Sequence, residues 1–191
     1  IIAQKIEIKS FDYAKITVIG GIDGKITNSG VQHFYDMRKR MYPENRTGLY
    51  FKTTESEVLG AITCSVKCSK DHEYMVFEDK RGLYSKLDFT LCKMESVTIE
   101  KISSVATSRD FEYIEKDGIE LEERRKDCAE YLDEAVKMGY NALLEESKNH
   151  WKNFWEEKGA VLEAENPFFK KAVNFSLYHL HIMANRDDNR V

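Results

Sequence analysis

The sequence lacks the long apolar runs, the basic clusters and the leader pattern that would place it on a membrane or on nucleic acid. Its apolar runs are only a few residues long, far short of the roughly 20 that a spanning helix needs. The formal net charge is −4, and the charges are spread along the 191 residues, which excludes a basic footprint for nucleic acid. The first ten residues alternate as in a strand and do not resemble a signal peptide. We therefore expect a soluble, cytoplasmic protein with no nucleic-acid or membrane partner.

Familiar catalytic motifs are also lacking. The sequence contains no G-x-S-x-G, no Walker loop and no G-x-G-x-x-G, and Gly20-Gly21 is interpreted as flexibility at the end of a strand. Acid–base chemistry on sugars needs two carboxylates about 5–10 Å apart. The 33 acidic residues offer too many pairs for sequence spacing to select one. The sequence therefore assigns no catalytic residue.

Neither the four cysteines nor the five histidines have the spacing of a metal site. Cys64 and Cys68 share one face of a predicted half-buried strand, about 13 Å apart, which is too far for one zinc ion or a disulfide. His179 and His181 project about 200° apart on a predicted helix. We assign no metal, and we expect the two cysteines to be core residues and the two histidines to be interior or interface residues. This cysteine pattern suits a reducing compartment.

The sequence does contain enough apolar residues for a core, 42% of the chain. Up to about residue 110, β-branched and aromatic stretches alternate with turn residues, and Asp23-Gly24 predicts a two-residue hairpin. The fold class that we predict is α+β, beginning with an antiparallel β-sandwich. The predicted strands are IIAQKIEIKS, AKITVIGGI, KITN, GLYFKTT, EVLGAITCSVKC, EYMVFED, GLYSKLDFTLCK and ESVTIEKISSVATS.

Near residue 116 the apolar spacing changes to that of helices. Residues 119–138 predict an amphipathic helix, with i,i+4 pairs such as Glu120 with Arg124 on its solvent side. Gly139 is expected to end or bend this helix. A second apolar stripe then follows, made of Tyr140, Leu144, Trp151 and Trp155.

A further helix is predicted near the end of the sequence, with Asn166 as its N-cap and Pro167 at its first position. It is apolar on most sides, so a small domain would leave one of its faces exposed. We therefore expect this helix to lie in a larger assembly and the protein to be a homo-oligomer, a dimer.

Three segments follow one another in a distinctive order. They are GIDGKITNSGVQHF (21–34), ISSVATSRD (102–110), and HWKNFWEE (150–157) followed by FKKAVNFSLYHLHIMANRDDNRV (169–191). In this order they resemble landmarks of glycoside hydrolase family 65, which contains the maltose, trehalose and kojibiose phosphorylases. The resemblance implies a β-sandwich domain over 1–115, a helical linker over 116–158 and, over 159–191, the start of a catalytic (α/α)6 barrel. Family members usually carry an isoleucine-glycine-aspartate-like pattern after the linker helix, where this chain reads VLEAENPFF.

The resemblance also implies an activity for the parent protein, namely inverting phosphorolysis or hydrolysis of a disaccharide such as maltose, trehalose or kojibiose. A glutamic acid protonates the leaving oxygen while phosphate attacks the anomeric carbon from the opposite face. The implied partners are the disaccharide and inorganic phosphate as co-substrate, with no organic cofactor or metal. The family's catalytic glutamate and phosphate-binding residues have no counterpart in these 191 residues. We therefore expect an inactive fragment without catalytic residues, which lacks the first sandwich strands.

Loops on a rigid sheet often carry binding groups. The segment 28–34 and the charged YDMRKRMYPENRTG after it are predicted to be such loops. We expect Gln32 and His33 to lie at the rim of the parent enzyme's substrate pocket. The alternative is a solvated surface loop.

Three functional classes remain open on the sequence. The chain is part of a family 65 enzyme, a stand-alone carbohydrate-binding sandwich, or a structural module that supports oligomerisation. The second class requires a row of exposed aromatic residues on one sheet face. The residues available for such a row are Tyr50, Phe51, Tyr74, Phe77, Tyr84 and Phe89.

Overall fold

The computed structural model describes residues 1–27, 29–110, 118, 120–159 and 166–183. Within these residues the chain forms eight strands and two helices. It divides into two compact units between Tyr140 and Asn141. The elements are β1 (Ile2–Lys9), β2 (Ala14–Asp23), β3 (Phe34–Tyr42), β4 (Arg46–Thr53), β5 (Leu59–Cys68), β6 (Glu73–Glu78), β7 (Gly82–Leu91), β8 (Ser96–Thr107), α1 (Leu121–Lys158) and α2 (Pro167–Met183).

The strands form two antiparallel sheets, with the orders β1-β8-β5-β4-β3 and β2-β7-β6, so the predicted sandwich is confirmed. Apolar residues of alternating parity fill the space between the sheets, as expected for strands with one face in a core. Cys64 is buried in this core and Cys68 packs against it, which confirms their predicted role. Burial raises the pKa of the Cys64 thiol. The other fully buried core residues include Leu49, Leu87, Leu91 and Val97.

The predicted hairpin at Asp23-Gly24 is wrong. Strand β2 pairs along its whole length with β7, from Ala14 to Asp23, and the described residues after it, 24–27, are not a strand. Gly20 and Gly21 also differ from the prediction, because both lie inside β2. A Cβ atom at Gly21 would come within 2.7 Å of the Tyr84 Cα atom, so glycine is needed here for close approach of the neighbouring strand.

The charged segment that was predicted to be a loop is a hairpin of β3 and β4 with a turn at 43–45. Strand β3 is an edge strand of the five-stranded sheet, where charged side chains reach solvent. Its pairing shifts register between Tyr35 and Arg38, and Asp36 within this bulge has a positive φ of 46°. Strand β3 was missed because its charges interrupt the apolar alternation that identifies the other strands.

The first part of α1 covers the outer face of the five-stranded sheet. Its residues Cys128, Leu132 and Ala135 are buried, as their helical spacing predicts. Thr63 and Ser65, on the outer face of β5, are buried as well, so β5 is covered on both sides and is not half-buried.

The helix α1 differs from the prediction at Arg124 and agrees with it at Gly139. Arg124 was predicted on the solvent side, but it is fully buried and pairs with Asp127. Gly139 interrupts the helix with φ 77° and ψ 166°, a conformation open almost only to glycine. The predicted bend or end at Gly139 is therefore confirmed.

The second unit contains the rest of α1 and the helix α2. The Asn166 side chain accepts a hydrogen bond from the Phe168 amide at 2.9 Å, so the predicted N-cap is confirmed. Phe154 is the buried centre of this unit, with its ring 4.0 Å from that of His181 and 4.9 Å from that of Trp155. None of the residues of α2 is fully buried.

The predicted domain limits at 115/116 and 158/159 stay predictions, and the VLEAEN part of the departure from the family pattern largely lies outside the described residues. No described helix is both long and apolar enough to cross a membrane. Within the described ranges, no cluster of three or more His, Cys, Asp or Glu side chains could hold a metal ion.

Candidate functional site

The connection between β2 and β3, residues 24–33, contains both of the site residues that the sequence proposes. We call it the β2–β3 loop; Asn28 within it lies outside the described residues. Because β2 belongs to the three-stranded sheet and β3 to the five-stranded sheet, the loop crosses from one sheet to the other. Its shape is therefore tied to one end of the sandwich.

The loop begins with a tight turn at Gly24. The Lys25 amide donates to the Asp23 carboxylate at 2.9 Å, and the Gly24 amide donates to the Arg81 carbonyl at 3.0 Å. A Cβ atom at Gly24 would collide with Met37 and lie 2.7 Å from the Arg81 carbonyl oxygen. Only glycine fits without displacing these neighbours.

Arg81 joins the two ends of the loop. Its Nε atom donates to the Gly24 carbonyl at 3.0 Å, and its Nη2 atom donates to the Phe34 carbonyl at 2.6 Å. A guanidinium group holds its donors in a fixed plane. One side chain therefore sets the separation between the first residue of the loop and the first residue of β3.

Asp79 fixes the turn that carries Arg81. Its carboxylate accepts from the amides of Arg81 at 2.9 Å and Gly82 at 2.6 Å, and it forms an ion pair with Lys25. The hydrogen bond from Lys25 is the main reason why the pKa of Asp79 falls to about 2. Asp79 in turn raises the pKa of Lys25.

The Gln32 side chain links the beginning of the loop to the start of β3 by hydrogen bonds. Its Nε2 atom donates to the carbonyls of Gly24 and Ile26 at 3.3 and 3.4 Å, and its Oε1 atom accepts from the Phe34 amide at 3.0 Å. The polar atoms of its amide group are therefore already engaged within the loop.

His33 is half-buried beside Gln32. Its main-chain carbonyl accepts from the Thr54 amide at 2.9 Å, which fastens it to the end of β4. Its imidazole makes no hydrogen bond to the residues that the structure describes. Of the two predicted site residues, His33 is thus the one whose side chain can still bind a ligand.

The loop exposes two large apolar side chains among its polar ones. Ile26 is 67% exposed and Val31 is 58% exposed. Between them, Ser29 and Gly30 both have positive φ values, 51° and 77°, which mark a tight turn. The loop therefore has a fastened base and exposes Ile26 and Val31 on either side of its turn.

The aromatic residues do not form the exposed row that a carbohydrate-binding sheet face would need. Among the six, only Phe77 is exposed, at 36%, and its ring stacks on Tyr84 with 5.2 Å between centroids. Tyr50 and Phe89 are buried, and Phe51 and Tyr74 pack against the core.

The residues that sequence reasoning missed are Asp79 and Arg81. The predicted strands leave Lys80-Arg81 between them, but no local pattern indicates that this turn meets residues 47 to 57 positions earlier. Only the pairing of β2 with β7, which brings Asp23 opposite Gly82, places Arg81 beside Gly24.

Comparison with known proteins identifies the family. The model of the glycosyl hydrolase family 65 N-terminal domain matches residues 1–154. The chain belongs to glycosyl hydrolase family 65. The β-sandwich and the helix α1 up to Phe154 therefore correspond to the N-terminal domain of this family, and the resemblance seen in the sequence is confirmed.

Individual family 65 proteins are similar over nearly the whole chain. Kojibiose phosphorylase from Halothermothrix orenii is 30% identical over 98% of the chain, and kojibiose phosphorylase from Escherichia coli K12 is 25% identical over all of it. Nigerose phosphorylase from Lachnoclostridium phytofermentans is 25% identical over 92% of the chain. The chain spans 24% to 25% of the length of these relatives.

A solved structure described as a kojibiose phosphorylase from the human microbiome has a similar fold. Its TM-score is 0.62 at 17% identity, over 80% of this chain and 19% of that one. At this identity the similarity concerns the fold alone, a β-sandwich followed by helices.

Proposed function

We propose that the protein to which this chain belongs is an inverting phosphorylase of an α-linked glucose disaccharide. The observation that carries the proposal is the 30% identity to the Halothermothrix orenii kojibiose phosphorylase over 98% of the chain. Kojibiose and nigerose are the first substrates to test, with maltose and trehalose next. The chain supplies the sandwich and the linker helix of the proposed phosphorylase.

In the proposed reaction, phosphate replaces the sugar that leaves. The bond from the anomeric carbon to the glycosidic oxygen breaks, a carboxylic acid donates a proton to that oxygen, and phosphate forms the new bond from the opposite face. The products are glucose and β-glucose 1-phosphate. The general acid and the phosphate-binding groups belong to the catalytic barrel and not to these 191 residues.

We further propose that the β2–β3 loop lies at the rim of the substrate pocket. Gln32 would shape the loop from within, and the His33 imidazole would contact the sugar. Support comes from the three hydrogen bonds of the Gln32 side chain inside the loop and from the unengaged imidazole among the described residues.

Phosphate-dependent release of glucose tests the reaction. The full-length enzyme is incubated with each of the four disaccharides, with and without phosphate, and β-glucose 1-phosphate is measured. We expect it to form from kojibiose or nigerose. Glucose release without phosphate would identify a hydrolase, and no release from any of the four would refute the proposal.

The cellular setting and the oligomeric state are proposals as well. The four cysteines are all free, which agrees with a cytoplasmic, reducing environment, and we expect the enzyme in the cytoplasmic fraction of its host. We expect a homodimer, and light scattering that finds a monomer over a wide concentration range would contradict this.

A further inference from the structure

We propose that Arg81 and Asp79 are positioning residues for substrate binding, because they hold the β2–β3 loop in one shape and thereby present His33 and the exposed Ile26 and Val31 to the disaccharide. This inference rests on the proposed function, since it assigns a task to the same loop.

The side-chain hydrogen bonds of Arg81 reach both ends of the loop. Its Nε and Nη2 atoms donate to the carbonyls of Gly24 and Phe34, at 3.0 and 2.6 Å. Its main chain accepts a hydrogen bond from the Gly24 amide and donates one to the Asp79 carboxylate. A lysine at this position carries a single ammonium group and cannot reproduce the planar two-point contact.

Asp79 connects the loop to the β6–β7 turn. Its carboxylate receives the amides of Arg81 and Gly82 and the ammonium group of Lys25. The Lys39 ammonium group donates to its main-chain carbonyl at 2.6 Å. Groups from the loop, from the turn and from β3 therefore meet at one residue.

This hydrogen-bond network orders a segment that buries little apolar surface of its own. Ile26 and Val31 remain 67% and 58% exposed. Fixing a backbone costs conformational entropy, and burial of these side chains does not offset that cost. A fixed shape in an exposed loop is what binding requires, because a ligand then does not have to order the loop itself.

Two variants of the full-length enzyme test the proposal, and one variant is the control. Arg81→Lys keeps the charge and the tryptic site but loses the two-point contact. Asp79→Asn keeps an acceptor for the turn but loses the ion pair with Lys25. Lys80→Ala removes a neighbouring exposed cation and is the matched control.

Two readouts are measured for each variant: the steady-state constants for the disaccharide and the rate of tryptic cleavage after Lys25. We expect Arg81→Lys to raise KM at least about tenfold while kcat stays within about twofold, because the loop acts on binding. Asp79→Asn should act in the same direction. Cleavage after Lys25 should become faster in both, and Lys80→Ala should change neither readout.

Every other result overturns the inference. If cleavage accelerates in a folded Arg81→Lys enzyme but KM is unchanged, the network is merely structural. If cleavage is unchanged, Arg81 does not order the loop. If both variants fail to fold, the network supports the sandwich and not the loop. Should the unmodified enzyme form no glucose 1-phosphate, the proposed function fails, while the cleavage rates still decide the role of Arg81.

Discussion

The hydroxyl group of Thr63 donates a hydrogen bond to the main-chain carbonyl of Cys128 at 2.9 Å, and this bond links strand β5 to helix α1. Ser104, which lies opposite Thr63 in β8, donates to the same carbonyl. All three residues are fully buried. The helix is therefore attached to the outer face of the sheet by a specific polar contact in addition to apolar packing.

Replacing Thr63 with valine should destabilise the sandwich. The change preserves the shape of the side chain but removes the hydrogen bond from Thr63 to the Cys128 carbonyl, and loss of one such bond costs about 0.5–1.5 kcal/mol in the free energy of unfolding. Urea denaturation measures the effect. Thr98→Val is the control, since Thr98 is only half-buried on β8; an equal loss in both variants would argue against the contact.

Replacing Leu132 with alanine should leave a cavity between α1 and the sheet. Leu132 is 1% exposed, and buried leucine-to-alanine changes cost about 2–5 kcal/mol in the free energy of unfolding. The same change at Leu144, which is on the same helix and 37% exposed, should cost much less. Thermal and urea denaturation compare the two variants, and similar losses would mean that α1 does not pack as described.

Because of Asp79, the free energy of unfolding should depend on pH in the acidic range. Its folded pKa of about 2 lies below the ordinary 3.8, so its contribution is complete above about pH 4 and is lost as the pH falls towards 2. The difference in unfolding free energy between the unmodified chain and Asp79→Asn should therefore shrink between pH 5 and pH 2. A difference that stays constant over this range would show that the charge of Asp79 is not involved.

Replacing Asn166 with alanine should loosen the first turn of α2. Loss of an N-cap typically costs about 1 kcal/mol, and the Phe168 amide loses its acceptor. Amide hydrogen exchange at Phe168 should become faster. Asn174→Ala, in the middle of the same helix, should leave that exchange rate unchanged, and faster exchange in both variants would contradict the capping role.

The sequence predicts the strands of the sandwich well because their apolar alternation reflects one buried face. Strand β3 is not predicted in this way, because its charged side chains reach solvent at the edge of the sheet and break the apolar alternation. The burial of Thr63 and Ser65 is not predicted either, because their small polar side chains look solvated until α1 covers them. The local sequence, by contrast, is enough to predict the bend at Gly139 and the N-cap at Asn166. At each of these positions one residue type favours one backbone conformation.

The candidate site is less predictable than the fold. The family landmark around Gln32 and His33 directs attention to the β2–β3 loop, but the residues that fasten this loop come from the β6–β7 turn. Arg81 and Gly24 meet only because β2 pairs with β7 in one particular register. Contacts between such distant segments depend on strand pairing, which a single sequence does not specify.

The edge strand β3 has a consequence for the behaviour of the protein at high concentration. It carries three successive cations, Arg38, Lys39 and Arg40, beside a bulge at Tyr35–Arg38. A strand from another molecule could pair here only by approaching these charges and by following a locally twisted edge. The charges and the bulge therefore disfavour edge-to-edge aggregation at this border of the five-stranded sheet.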